Sequence, residues 1–238
     1  MSTKENLIHF WKEKNIVNNP LLIDAFRSVP REIFIAPNLY HLAYVDKPLP
    51  TIRNQSISQP TTIMIMLEAL EIEMGHNVFE LGAGVGYQAA LLSKVVGSEG
   101  KCTTTDIIPE LIHATNKNLT TLGITNTDII EMDGGEGHNE NAPYDRIIIT
   151  AACPVIPQPL IDQLKEGGIL IAPVGNLRGQ TIVKGIKENG RLELDYLGQF
   201  AFVPLRGKYG FKELENIHDS LHTFHLLYHS YKIIKRKF

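Results

Sequence analysis

Apolar positions in the first thirty residues recur at helical spacing and are interrupted by proline. Leu7, Phe10 and Trp11 mark one apolar face. Pro20 then stands where a helix tolerates it, at a first position whose N–H is not needed, and Leu22, Ile23, Phe26 and Val29 follow at steps that predict a second helix. A Pro-rich loop at 46–50 leads into 55–60 (QSISQP). From Pro60 a third helix is predicted, with Ile63, Met66, Leu67 and Leu70 on its inner face and its methionines as core filler.

From residue 77 the pattern changes to short apolar runs alternating with helices. Strands are expected at 78–81, 101–105, 128–132, 146–150 and 169–172, and helices at 88–96, 109–122 and 160–165. This rhythm predicts a parallel sheet with helices on both faces. The runs 181–186 and 192–196 flank Asn189-Gly190, the turn pair of an antiparallel hairpin. The expected fold is therefore α/β: a mostly parallel seven-stranded sheet with an antiparallel C-terminal hairpin, preceded by a helical segment. After Gly207, Leu214, Ile217, Leu221, Phe224, Tyr228 and Tyr231 advance in threes and fours, which predicts an amphipathic C-terminal helix. Six apolar side chains on one stripe imply packing, either back on the domain or against a second copy, so the chain is expected to be a monomer or a homo-oligomer through this helix.

Composition narrows the partners. A net charge of −3 over 238 residues provides no general attraction to nucleic acid or anionic lipid, and no apolar run reaches membrane-spanning length. Cys102 and Cys153 are the two cysteines and read as reduced, buried thiols, so the expected location is cytoplasmic. His218, His222, His225 and His229 form a stripe on the last helix. Histidines four apart can share an ion, but no carboxylate or cysteine stands at matching positions. They read as a polar flank, and no metal is expected. His9, His41, His76, His113 and His138 have no ligand spacing, and the basic end at 235–237 reads as solvated.

Candidate chemistry gathers at the strand ends. Residues 80–86 (ELGAGVG) join the first parallel strand to its helix, where glycines let the backbone turn tightly and approach a ligand. A dinucleotide fingerprint would want glycine at 87, where the chain has Tyr87, so the pattern is G-x-G-x-G. The second strand ends in Asp106, about where a carboxylate meets ribose hydroxyls, and the third in Asp133-Gly134, placed to reach an adenine edge. A Gly-rich turn alone also serves as a plain strand–helix connection. Three strand ends carrying these groups in order favour a nucleoside cofactor, and the glycine spacing, Glu80 and the antiparallel ending favour S-adenosylmethionine over a nicotinamide.

Strings outside this turn carry a family resemblance. Residues 29–34 (VPREIF), 43–50 (AYVDKPLP), 55–60 (QSISQP), 80–90 (ELGAGVGYQAA), 142–146 (APYDR), 163–168 (QLKEGG), 173–175 (PVG) and 202–205 (FVPL) resemble, in order, the protein-L-isoaspartate O-methyltransferases, a family of the Rossmann-like class I methyltransferase fold. The resemblance implies a methyltransferase domain at 1–207, with N-terminal helices and substrate loop at 1–60, a cofactor-binding core at 61–207, and a helical extension at 208–238. It implies S-adenosylmethionine as cofactor, with Glu80, Gly82 and Gly84 near its methionine part, Asp106 on its ribose, and Asp133 with Gly134 at its adenine. It puts Ser58 at the substrate carboxylate, with Ile57, Val203 and Leu205 against the peptide. The implied partners are isoaspartyl-containing peptides and proteins, whose methyl esters collapse unaided to a succinimide and so begin repair.

The chemistry agrees, since a carboxylate of ordinary pKa near about 4 is already ionised and needs no strong base. Ser58 taken alone reads as a helix cap ahead of Pro60, or as a hydroxyl that holds an anion with help from helix N-terminal amides. The chain departs from the family at Ile52 and Asn54, where glycines usually flank the residue at Arg53, and at Ser56, where threonine is usual. A stiffer loop and an altered substrate range are expected. Two other functions fit the same strings: methylation of one dedicated peptide carboxylate, and a cofactor-binding adaptor without catalysis.

Overall fold

The computed structural model describes residues 3–212. The predicted C-terminal helix, its histidine stripe and the basic end lie outside the described residues. Helices α1 (Lys4–Glu13) and α2 (Pro20–Ser28) open the chain, and Pro20 is the first residue of α2 with Asn19 capping it. On α1 the buried residues are Leu7, Ile8 and Trp11, while Phe10 is 40% exposed. The inner face thus lies one residue round from the expected one.

A two-stranded hairpin follows, β1 (Leu49–Pro50) with β2 (Ser56–Ile57), and then α3 (Pro60–Ala69). Helix α3 is buried on nearly every side, Met64 as well as Ile63, Met66 and Leu67, so it has no single inner face.

The remaining strands are β3 (Asn77–Leu81), β4 (Lys101–Asp106), β5 (Thr127–Glu131), β6 (Tyr144–Ile149), β7 (Leu164–Asn176), β8 (Gly179–Glu188) and β9 (Arg191–Phe200). Three helices intervene: α4 (Tyr87–Val96), α5 (Pro109–Thr121) and α6 (Gln158–Gln163). The seven strands order as β5-β4-β3-β6-β7-β8-β9, parallel from β5 to β7 and antiparallel through β8 and β9. Strand β7 begins five residues earlier than its apolar run, and α6, of the expected length, lies two residues earlier. Leu164 pairs with Tyr144 and Ile169 with Arg146, so the polar stretch 165–168 stands at a register shift between two paired positions.

Side chains of the central strands alternate between two apolar cores. Ile148 of β6 joins the core holding Trp11, Phe26, Leu67 and Leu91, while Ile147 and Ile149 join the one holding Phe79, Tyr144 and Leu160. Cys102 and Cys153 are free and buried in opposite cores. No helix among the described residues is long and apolar enough to cross a membrane. Chain order runs outward from β3 to β5 on one side and resumes at β6 on the other. β3 is therefore the switch point where a crevice opens at the carboxyl ends of the strands.

Candidate active site

The Gly-rich turn after β3 occupies that crevice. Gly82, Gly84 and Gly86 have φ of +102°, +55° and +89°, a region that L side chains rarely adopt. A Cβ at Gly82 would also stand 2.2 Å from the Thr150 hydroxyl oxygen. The turn is pinned from three sides. Thr150 Oγ1 donates to the carbonyls of Leu81 (2.9 Å) and Gly82 (2.7 Å). Thr115 Oγ1 donates to the Gly84 carbonyl (3.1 Å), and Asn118 Nδ2 to that of Val85 (2.9 Å). The Gly84 N–H donates to Asp106 Oδ2 (3.0 Å). Thr115, Asn118 and Thr150 were not among the expected site residues. Thr115 and Asn118, three apart on α5, carry the one available signal, a polar pair on a single helix face.

Two acids differ sharply in setting. Glu80 is 0% exposed, accepts from Thr104 Oγ1 through Oε2 (2.6 Å), and leaves Oε1 without a partner. Burial pushes its carboxyl up to about 8, against the opposing pull of the Thr104 hydrogen bond. Asp106 accepts from the Gly84 and Ile108 amides. Burial raises its pKa, those amides lower it, and so does the charge of Arg206. Asp133 has both oxygens engaged, Oδ1 by the Gly135 amide (3.0 Å) and Oδ2 by the Lys208 amide (2.8 Å). It thereby clamps the segment after 205 against the end of β5.

The other end of the crevice comes from the N-terminal region. Ser58 follows β2 and is not the cap of α3: Gln59 holds that position without a side-chain cap bond. Asp46 accepts from the Thr61 amide (2.9 Å), from Thr61 Oγ1 (2.8 Å) and from Gln59 Nε2 (2.8 Å). Of the helix amides expected to help Ser58, that of Thr61 is taken by the chain's own carboxylate. Trp11 Nε1 donates to the same threonine hydroxyl (2.8 Å), so α1 braces this end. Arg53 and Asn54, at the tip of the β1–β2 turn, both have φ of +56°. Asparagine tolerates that conformation better than most residues.

One cavity of about 580 Å³ joins the two ends. Glu80, Gly82, Gly84, Asp106, Asp133 and Gly134 line one part, and Ile57, Ser58, Val203 and Leu205 the other. All the expected site residues therefore meet at a single cavity. Among the described residues no group of three or more His, Cys, Asp or Glu could hold a metal ion.

The model of the protein-L-isoaspartate(D-aspartate) O-methyltransferase family matches residues 2–210. The chain belongs to this family. It is 45% identical over 207 residues to the protein-L-isoaspartate O-methyltransferase of Methanococcus maripaludis strain S2, covering 87% of this chain and 95% of the relative. It is 41% identical over 209 residues to that of Methanoculleus marisnigri, covering 88% and 94%. A solved protein-L-isoaspartate O-methyltransferase superposes with a TM-score of 0.79 at 29% identity, over 87% of this chain and 67% of the other. A Plasmodium falciparum beta-aspartate methyltransferase in complex with S-adenosyl-L-homocysteine shares the fold, with a TM-score of 0.74 at 22% identity. As a protein-L-isoaspartate O-methyltransferase the chain is an enzyme of class EC 2.1.1, with S-adenosylmethionine as its cofactor.

The cavity suits that cofactor on its own terms. The orphaned Glu80 oxygen offers a buried acceptor to an ammonium, and the Gly-rich backbone leaves room that any Cβ would reduce.

Proposed function

We propose that Ser58 binds the free carboxylate of an isoaspartyl residue while the turn 80–86 holds S-adenosylmethionine facing it. The observation that carries this reading is the single cavity, which brings Ser58, beside the N-terminal hairpin, and the Gly-rich turn of the main sheet into one enclosure. The cofactor supplies a methyl group on a positively charged sulfur. The chain's own work is to bind, align and keep water out. Ser58 donates its hydroxyl proton to a substrate carboxylate oxygen, and Ile57, Val203 and Leu205 pack on the peptide flanks.

Glu80 Oε1 accepts from the cofactor's ammonium and Asp106 from its ribose hydroxyls. Asp133 and Gly134 wall the adenine. With both its oxygens bonded to amides, Asp133 acts there by fixing the shape of the turn. No general base is required, because the acceptor is ionised at neutral pH. The ester product then closes to a succinimide without further help from the protein, and the repair reading carries a cytoplasmic setting with it.

The test is transfer of labelled methyl groups to an isoaspartyl peptide and to its aspartyl twin. We expect the first to be labelled and the second scarcely at all. Equal labelling would point to a less selective carboxylate methyltransferase, and labelling of neither to an adaptor or to a dedicated acceptor.

A further inference from the structure

Arg31 is 0% exposed, a rare setting for a guanidinium. Its Nη2 donates to the Ser58 carbonyl (2.9 Å), while Nε and Nη1 have no hydrogen-bond partner. The Tyr87 ring stands 5.3 Å from its central carbon, and Tyr87 and Ser58 both line the cavity. Among the described residues no carboxylate oxygen pairs with Arg31 within 4.0 Å. Asp46 acts on it at longer range, but that carboxylate is already bonded to Thr61 and Gln59. Tyr87 and Asp46 offset part of its charge, but a buried cation without a paired carboxylate still costs the fold stability, so its position calls for a functional reason.

That reason is visible in the cavity wall. The acids lining the cavity are Glu80, Asp106 and Asp133, and a carboxylate substrate shares one enclosure with them. The lining cations are Lys47, which is half-buried, and the exposed Arg206. Arg31 is the cation that water does not screen, and it sits directly behind the residue that receives the substrate.

We propose that Arg31 is a positioning residue for the acceptor: it anchors the Ser58 backbone from behind and lends the acceptor end of the cavity the buried positive charge that draws in the isoaspartyl carboxylate. The inference rests on the repair reading, and wild-type turnover of the isoaspartyl peptide tests that reading separately.

The experiment compares wild type, Arg31→Met and Arg31→Lys in peptide kinetics, S-adenosylhomocysteine binding and thermal melting. Arg31→Met is expected to raise KM for the isoaspartyl peptide about tenfold or more, since a charge interaction in a poorly screened site is lost. Its affinity for S-adenosylhomocysteine should stay within about twofold and its Tm should be unchanged or higher, because a buried unpaired charge has gone. Arg31→Lys keeps the charge and should recover most of the KM. The proposal is overturned if Arg31→Met leaves KM near wild type, if it melts well below wild type or fails to fold, or if Arg31→Lys is as impaired as Arg31→Met. A merely structural arginine would lower Tm and cofactor affinity together.

Discussion

At the scale of single residues, Glu80 ties cofactor binding to pH. Its carboxyl sits at about 8 in the fold against an ordinary value of 4.5, so between these values the folded chain holds a proton that the unfolded chain has released. Native protein then binds more protons than unfolded protein, and the contribution of Glu80 to stability falls as pH rises from about 4.5 through about 8. Binding runs the other way. A cofactor ammonium favours the ionised carboxylate, so affinity should strengthen as pH approaches 8 from below, by up to about tenfold per pH unit. Titration calorimetry with S-adenosylhomocysteine between pH 6 and 8.5 checks this, and Glu80→Gln should flatten the slope. A wild-type affinity that does not change over this range would mean the ammonium does not meet Glu80. Asp106 and Ser58 should separate the two halves of the cavity. Asp106→Ala removes a charged acceptor worth about 1.5–3 kcal/mol and strands the Gly84 amide, so cofactor affinity should fall at least tenfold. Ser58→Ala should leave that affinity within about twofold, having lost only a contact to peptide, while lowering kcat/KM for the isoaspartyl peptide. Calorimetry giving the reverse order would exchange the two assignments.

Among the elements, α5 is more than a cover for the sheet. Thr115 and Asn118 hold two carbonyls of the Gly-rich turn, and a Cβ at Gly86 would come within 2.9 Å of Thr115 Cγ2. Thr115→Val keeps the volume and leaves the Gly84 carbonyl without its donor. It should cost about 1 kcal/mol of stability and weaken cofactor binding several-fold, with the peptide KM unchanged. Denaturant melts alongside cofactor titration would show this; intact cofactor affinity would reduce Thr115 to a packing role. All seven strands were legible in the sequence, the inner parallel ones as short apolar or β-branched runs and the last two as runs flanking the Asn189-Gly190 turn. The start of β7 was not, since 165–168 is polar and lies at a register shift, between the pairs Leu164–Tyr144 and Ile169–Arg146. The β1–β2 hairpin escaped because two-residue strands carry no periodicity. The near-total burial of α3 was hidden too, as its threonines read as polar when they are in fact enclosed. The cofactor half of the site was readable for a geometric reason: a parallel sheet places its strand ends together, so Glu80, Asp106 and Asp133 can be aligned by counting strands. The acceptor half was readable only at Ser58 and its neighbours. The bonds that support it, Trp11 to Thr61 and Arg31 to Ser58, span 50 and 27 residues, a range at which local pattern is silent.

On the scale of the whole molecule, the N-terminal helices are built into the enzyme rather than appended to it. Trp11, Phe26, Val29 and Phe34 share one apolar core with Leu67, Leu91 and Ile148, so the acceptor end of the cavity rests on the same packing as the sheet. One member of that core has a spectroscopic consequence. Trp11 is the chain's sole tryptophan, and its indole N–H is bonded to Thr61, whose hydroxyl also serves Asp46 and which lies three residues along the chain from Ser58. Tryptophan emission therefore arises from a single buried indole joined by hydrogen bonds to the acceptor end and by none to the Gly-rich turn. Saturating the protein with S-adenosylhomocysteine should leave that emission nearly unchanged, whereas an isoaspartyl peptide should shift or quench it. The enzyme thus carries an optical gauge of acceptor occupancy, one that needs neither label nor turnover to be read.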